Sequence, residues 1–187
     1  MTDINHLIAP STAPSLSVDP ERSDRPMIDL IELFFFAYRD FVADPDEILA
    51  PLGFGRAHHR VLHFINRHPG MRVTDLLDIL RITKQSLGRV LRELVDEGFV
   101  DSRAGASDRR QRLLFPTLKG QALGREFIAL QSRRIDDALN VCGPHARDIV
   151  RRFLVAMIDP EDQPEVESLI CRAAQMPSVK PPHIPEP

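Results

Sequence analysis

With 187 residues, of which 43% are hydrophobic, the chain is long enough for one core plus an element for oligomerisation. Its two cysteines have no regular spacing, which excludes a disulfide framework and a cysteine zinc site. The net charge of -3 is unevenly distributed. Residues 56–120 hold 13 Lys and Arg against 7 Asp and Glu, a balance of +6, and the rest of the chain carries a balance of -9. This distribution indicates one surface that binds a polyanion.

The two ends of the chain differ in composition from its centre. Residues 1–26 are rich in Pro, Ser, Thr and Asp, and residues 177–187 include five prolines. Such segments bury too little apolar surface to offset the entropy cost of ordering. Both are therefore predicted to be disordered tails.

The first predicted helix covers residues 27–42 and is apolar nearly all round, so it needs more than one packing neighbour. One side comprises Ile28, Ile31, Phe35, Tyr38 and Val42. Pro45 and Pro51 are expected to break the chain after it. Charged residues interrupt this stretch, which is too short to span a bilayer, and no signal peptide is visible, so a cytoplasmic location without membrane contact is predicted.

Three short elements are predicted next in the chain. A helix over 56–67 turns Val61, Leu62, Phe64 and Ile65 inward and stops at a His-Pro-Gly sequence. Residues 71–73 are predicted to form a short strand that pairs with a later hairpin. Residues 74–80 form the first helix of a helix-turn-helix.

The helix predicted over 82–97 has two unlike faces. Thr83 is a plausible N-cap and Gly98 a C-terminal left-handed residue. The apolar stripe comprises Leu87, Val90, Leu91, Leu94 and Val95. The opposite face carries side chains that reach phosphates and base edges, namely Lys84, Gln85, Ser86, Arg89 and Arg92.

A charged hairpin is predicted after this helix. Its strands cover residues 99–103 and 112–115, and its tip carries Arg109 and Arg110. Pro116 ends the second strand, which is therefore predicted to lie at the edge of the sheet. A polar helix beside a basic hairpin is typical of a surface that binds a polyanion.

The remaining helices are predicted over 118–139, over 144–157 and, after Pro164, within 159–176. Thr117 can cap the first of them. Together with the first helix, they carry more apolar surface than the small region formed by residues 56–120 can cover. This surplus predicts a symmetric homodimer through residues 27–43 and 121–158.

The segments 82–94 and 108–120 and the order of the helices resemble the MarR family of bacterial transcriptional regulators. The most specific part is the wing signature, here Asp108-x-Arg110 and then Thr117-x-x-Gly120. The resemblance covers about residues 27–158 and implies a mainly α fold with a small β-wing. In it, a winged helix-turn-helix head, 56–120, joins a helical dimerisation region.

The resemblance also implies a function. It implies a homodimer that binds a palindromic operator in double-stranded DNA and is released or modulated by a small-molecule effector. The wing arginine, Arg110, is expected in the minor groove, and Asp108 is expected to hold the wing. Gly88 departs from the family, because relatives often have a polar base-contacting residue there. The full set of expected DNA-binding residues is Arg72, Thr83, Lys84, Gln85, Ser86, Arg89, Arg92, Asp108, Arg109, Arg110 and Arg112.

A histidine cluster on helix 56–67 leaves alternatives open. An effector pocket is expected to involve Phe34, Tyr38, His58, His59 and His63. The i, i+4 spacing of His59 and His63 also allows a metal- or haem-responsive regulator, although two histidines do not make a site. A further alternative is a protein-interaction module that uses the winged helix.

No catalytic constellation is recognised in the sequence. A Gly-rich phosphate loop, a nucleophile elbow and a carboxylate pair at metal-binding spacing are all missing, so the chain is not expected to be an enzyme or to hold a cofactor. Cys142 and Cys171 are expected to be spectator thiols, with a redox role left open.

Overall fold

The computed structural model describes residues 26–105 and 108–175. Within them the fold is mainly helical with a small antiparallel sheet, which confirms the predicted fold class. None of the described helices is long and apolar enough to cross a membrane. The predicted tails, 1–26 and 177–187, lie outside the described residues except for Pro26. In chain order the elements are α1 (Ile28–Leu49), α2 (Arg56–Arg67), β1 (Met71–Arg72), α3 (Val73–Leu80), α4 (Lys84–Asp96), β2 (Val100–Ala104), β3 (Arg112–Pro116), α5 (Leu118–Val141), α6 (Ala146–Ala156) and α7 (Gln163–Gln175).

The chain divides into two compact units, Met1–Ala37 and Tyr38–Pro187. In the first unit the structure describes the beginning of α1. The described residues of this unit leave its large apolar side chains exposed, namely Ile28, Leu30, Ile31, Leu33, Phe34, Phe35 and Phe36. The sequence predicts that more than one neighbour packs against this apolar helix, and the described residues of this unit do not supply those neighbours.

Helix α1 does not break at Pro45, so that prediction was wrong. The helix continues to Leu49, and Pro45 lies inside it with a fully buried ring. Proline removes one helical hydrogen bond, but the buried ring and the buried Leu49 after it gain packing that a sequence pattern does not show. The chain does turn at Pro51, in a 3-10 turn that follows α1.

One core joins α2, α3, α4, the sheet and α5. At its centre, Leu62 and Ile65 of α2, Leu76 of α3, Leu94 of α4 and Phe127 of α5 have no exposed surface. Burying each such side chain contributes roughly 1.5–3 kcal/mol. The inward positions predicted for α2 and α4 are mostly confirmed, although Phe64 is only half-buried. Val95, predicted as part of the apolar stripe of α4, is exposed, because it lies at the edge of the stripe near the end of the helix.

The sheet has the order β1-β3-β2, so β3 is its central strand. The prediction that β3 is an edge strand was wrong. Its proline, Pro116, pairs with Val100 of β2 at the end of the strand, whereas β1 pairs only with Leu113 and Leu114. Proline is tolerated because β1 does not reach the position where its missing N–H would be needed. The predicted pairing of the short strand with the hairpin is confirmed.

The start of α5 is pressed against the end of the preceding helix and the start of β2. Thr117 caps α5 as predicted: its Oγ1 accepts from Gly120 N at 3.1 Å and donates to Gly98 O at 2.7 Å. A Cβ on Gly120 would lie 2.1 Å from Phe99 O, so only glycine allows this approach. Lys119 Nζ donates to Glu97 O at 2.8 Å and lies 4.0 Å from the centre of the Phe99 ring.

Helices α6 and α7 follow α5. The apolar face of α6 is exposed, with its members Ile149, Val150, Phe153 and Leu154 and the adjoining Met157 between 38% and 54% accessible. Helix α7 begins at Gln163, one residue before the proline expected to open it. Arg151 of α6 pairs with Glu167 of α7 at 3.2 Å, and Arg81, in the turn between α3 and α4, pairs with Asp162 just before α7.

Candidate nucleic-acid interface

Helix α4 presents a polar face to solvent because its apolar stripe packs into the core. Leu87, Val90, Leu91 and Leu94 are buried. The predicted contact side chains on the opposite face are all exposed. A shallow groove of about 500 Å³ is lined by Gln85, Ser86, Gly88, Arg89 and Arg92. A Cβ on Gly88 would meet nothing within 4 Å, so this glycine leaves open space on the face.

The N-terminus of α4 is capped by two residues that carry hydroxyl groups, Thr83 and Ser86. Thr83 Oγ1 accepts from Ser86 N at 3.1 Å and donates to Ser86 Oγ at 2.8 Å, which confirms the predicted N-cap. Lys84 and Gln85 follow in the first turn, where the helix dipole already favours an anion. This end of the helix is thus suited to a phosphate group.

The wing tip is organised by Asp108. Its Oδ1 accepts from Arg110 N at 2.9 Å, and its carbonyl accepts from Gln111 N at 3.1 Å. The side chains of Arg109 and Arg110 are exposed and form no hydrogen bond or ion pair with the part of the chain that the structure describes. The carboxylate therefore fixes the turn while both guanidinium groups stay available to a ligand.

Two other arginines expected at the interface already have partners. Arg112 spans the wing, with Nε 3.1 Å from Ser102 Oγ and Nη2 3.1 Å from Ser102 O. Arg72 pairs with Asp75 through Nε at 2.9 Å and Nη2 at 2.7 Å. Burial pushes the pKa of Asp75 upward, but the hydrogen bonds from Arg72 outweigh it and lower that pKa below its usual range.

The histidines of α2 separate into two groups. His58 lies against α4, where its Nε2 is 2.6 Å from Glu93 Oε2. His59 and His63 lie together elsewhere on the helix, with ring centres 6.5 Å apart, and His59 also packs edge-on against Phe127 at 4.8 Å. Burial lowers the pKa of His59 and lowers that of His63 to about 4, so both are held neutral.

Among the residues that the structure describes, two buried polar atoms near this pair have no hydrogen-bond partner. They are His59 Nε2 and Asp46 Oδ1. Buried polar groups are normally hydrogen-bonded, so these two atoms are suited to contact a polar ligand. The described residues include no group of three or more His, Cys, Asp or Glu side chains arranged as metal ligands.

The other residues of the expected effector pocket are half exposed. Tyr38 is 48% accessible and belongs to the same unit as the histidines. Phe34 is 46% accessible and belongs to the first unit. The structure thus brings together His59 and His63 of the expected set and places His58 against α4.

Sequence reasoning missed Glu93, because its partner His58 stands 35 residues away. It also missed Arg103, which lies 4.8 Å from the centre of the Phe115 ring and pairs with Asp101 at 3.0 Å. The contact of Glu93 depends on how α2 meets α4, and that of Arg103 with Phe115 depends on how the wing strands pair. Only the pair of Arg103 with Asp101, two residues apart on one strand, is a local spacing that the sequence could have revealed.

Comparison with known proteins gives a consistent result. A model of the MarR family matches residues 52–111. The chain is 53% identical over 130 residues to the HTH-type transcriptional regulator PetP of Rhodobacter capsulatus, an alignment that covers 70% of this chain and 78% of PetP.

Two solved structures share the fold. Streptococcus pneumoniae FabT in complex with DNA is 14% identical with a TM-score of 0.62, and the match covers 71% of this chain and 94% of FabT. A mutant MarR from E. coli complexed with operator DNA is 21% identical with a TM-score of 0.57, and the match covers 71% and 96%.

Proposed function

Because this chain belongs to the MarR family of DNA-binding transcriptional regulators, a family that is not enzymatic, we propose that it reads a palindromic operator as a homodimer. The observation that carries this proposal is the polar face of α4. Its side chains are exposed to solvent, while the opposite, apolar face of the helix packs into the core. Because a transcriptional regulator must reach the DNA, we propose that the protein is located in the bacterial cytoplasm.

In the proposed complex α4 enters the major groove and the wing follows the minor groove. Lys84, Gln85, Ser86 and Arg89 face the bases, and glutamine suits adenine as arginine suits guanine. Thr83 lies beside the phosphates at the helix start, with Arg72 and Arg92 as further phosphate contacts. Arg109 and Arg110 enter the minor groove from a tip held by Asp108, and Arg112 stiffens the wing that carries them.

The exposed apolar face of α6 supports the homodimer. Side chains such as Phe153 and Leu154 are about half accessible, although monomeric proteins rarely leave contiguous apolar surface uncovered. Two-fold symmetry would cover this face and present two copies of α4 to two half-sites. We assign residues 27–43 and 121–158 to dimerisation and 56–120 to reading, with 159–176 as an appended helix.

The effector site is proposed at His59 and His63. The unpartnered atoms His59 Nε2 and Asp46 Oδ1 favour a small molecule with a hydroxyl or amide group, which can both donate and accept. Such a ligand would shift the separation of the two heads and so the fit to both half-sites.

Selection of duplexes from a random library tests operator reading, with the full-length protein and two matched variants. Arg89→Ala should reduce affinity for the selected duplex by about 5- to 150-fold, with little change for random duplex, because a bidentate base contact discriminates by about 1–3 kcal/mol. Arg110→Ala should weaken both duplexes and lower the slope of log affinity against log salt by about one. Failure to enrich any sequence, or a binding constant insensitive to salt, would instead favour a protein-interaction module.

A further inference from the structure

A buried histidine connects the core to the reading helix. The ring of His58 is stacked on Phe54, with centres 4.3 Å apart and planes 5° apart. Its Nδ1 accepts from Gly55 N at 3.1 Å, so the proton lies on Nε2, which donates to Glu93 Oε2 at 2.6 Å. Both ring nitrogens therefore have a hydrogen-bond partner, and the bond to Glu93 fixes one oxygen of its carboxylate.

The second oxygen of Glu93 faces the reading surface. Its Oε1 lies 3.8 Å from Nη1 of Arg89, one helical turn earlier on α4. Exposure rises along this series, from 7% for the His58 side chain to 39% for Glu93 and 70% for Arg89. The three side chains form a continuous connection from the core to solvent.

An anchored acid differs from an ordinary surface ion pair. In most exposed i, i+4 pairs both side chains move freely, and the pair orients neither of them. Here the carboxylate is fixed by a buried donor, so it defines a direction for the guanidinium. The contact, 3.8 Å between Arg89 Nη1 and Glu93 Oε1, is longer than a hydrogen bond, so the N–H groups of Arg89 remain for a ligand.

We propose that His58 and Glu93 are positioning residues that orient Arg89 for base recognition. This inference rests on the proposed function, in which Arg89 reads a base. An arginine that is oriented before binding loses less side-chain freedom when it docks in two hydrogen bonds. Through this orientation the pair is expected to improve discrimination between sequences, in addition to the effect of the Glu93 charge on affinity for any DNA.

The first experiment compares two charge removals on α4. Glu93→Gln and Glu97→Gln each delete one carboxylate, and the Glu97 side chain is exposed outside this network. Both should raise affinity for a random duplex by a similar factor, about twofold, because repulsion of phosphates decreases. Glu93→Gln alone should reduce the ratio of selected to random affinity, by roughly fivefold, as for residues in one network. Equal ratios in the two variants would overturn the proposal.

The second experiment separates positioning from folding. His58→Phe retains a ring against Phe54 but has no donor for Glu93, whereas the amide of His58→Gln can still donate to it. The ratio should fall by roughly fivefold in His58→Phe and recover in His58→Gln. In an Arg89→Ala background, His58→Phe should change the ratio no further. A similar drop in both backgrounds would mean that His58 acts independently of Arg89, which would overturn the proposal.

The wild-type selection distinguishes the two levels of inference. If the wild type enriches no sequence, the proposed operator reading fails, and the positioning role fails with it. If it enriches a sequence and Arg89→Ala lowers the ratio while His58→Phe and Glu93→Gln do not, only the positioning role is overturned.

Discussion

The head and α6 contain the same kinds of apolar side chain in opposite environments. Leu62 and Leu94 in the head have no accessible surface, whereas Phe153 and Leu154 on α6 are 52% and 48% accessible. The head thus completes its core with residues of its own chain, and α6 offers a surface that the described chain does not cover. Stability of the head and assembly through α6 should respond to different substitutions.

The largest effect is expected in the head itself. Leu62→Ala should lower its free energy of unfolding by about 2–5 kcal/mol, because a fully buried side chain leaves a cavity. Urea denaturation at two protein concentrations measures this loss. Leu118→Ala, the same change at a residue that is 64% accessible, should cost less than about 0.5 kcal/mol. Equal losses would remove the contrast between the regions.

A charge on α6 should disrupt assembly while the head stays folded. Phe153→Asp is expected to convert a dimer of 21.2 kDa chains to monomers in light scattering. Affinity for the selected duplex should fall about 100-fold or more, because two linked heads bind far more tightly than one. Arg152→Ala on the same helix serves as the control. A dimer that persists in Phe153→Asp would place the interface elsewhere.

Acid should weaken the head through His63, which is half-buried on α2. The pKa of His63 is about 4 in the folded chain against 6.5 for the free side chain, so between these values only the unfolded chain binds the proton. The contribution of His63 to the free energy of unfolding is complete above pH 6.5 and is lost as the pH falls toward 4. At most about 3 kcal/mol should disappear between pH 7 and pH 4. His63→Gln should flatten this slope in urea titrations, and an unchanged slope would contradict the assignment.

The smallest effect is expected on the open face of α4. Gly88→Ala places a methyl group where nothing lies within 4 Å, so it should raise head stability by about 0.5–1 kcal/mol through helix propensity. Gly88→Leu should also fold, as circular dichroism can check, yet it should lose affinity for the selected duplex by filling the groove. Unimpaired binding by the leucine variant would show that the groove stays open in the complex.

Local sequence patterns predicted the elements of the head well. The apolar periodicity of α4 and the caps at Thr83 and Thr117 depend on residues a few positions apart, so one sequence reveals them. The course of α1 through Pro45 depends on what buries that ring. The central place of β3 depends on how far β1 extends beside it.

Predictions for the site divide in the same way, into those that depend on nearby residues and those that depend on the fold. Exposure of the polar face of α4 follows from the periodicity of its opposite side, and the turn held by Asp108 is formed within three residues. The hydrogen bond between His58 and Glu93 joins residues 35 positions apart on different helices. Arg112 was expected to contact DNA as part of the basic wing, whereas its bond to Ser102 requires the strand register.

The glycine contact at the start of α5 has a mechanical consequence. Helix α5 has 24 residues and is therefore about 36 Å long. A tilt of about 5° at its start would move its far end by about 3 Å, since displacement scales with helix length. Gly120 is pressed against Phe99 O, and Lys119 ties the same turn to the end of α4. Because this contact is close, we expect a shift of about 3 Å at the far end of α5 to rotate α4 and the wing by only a few degrees.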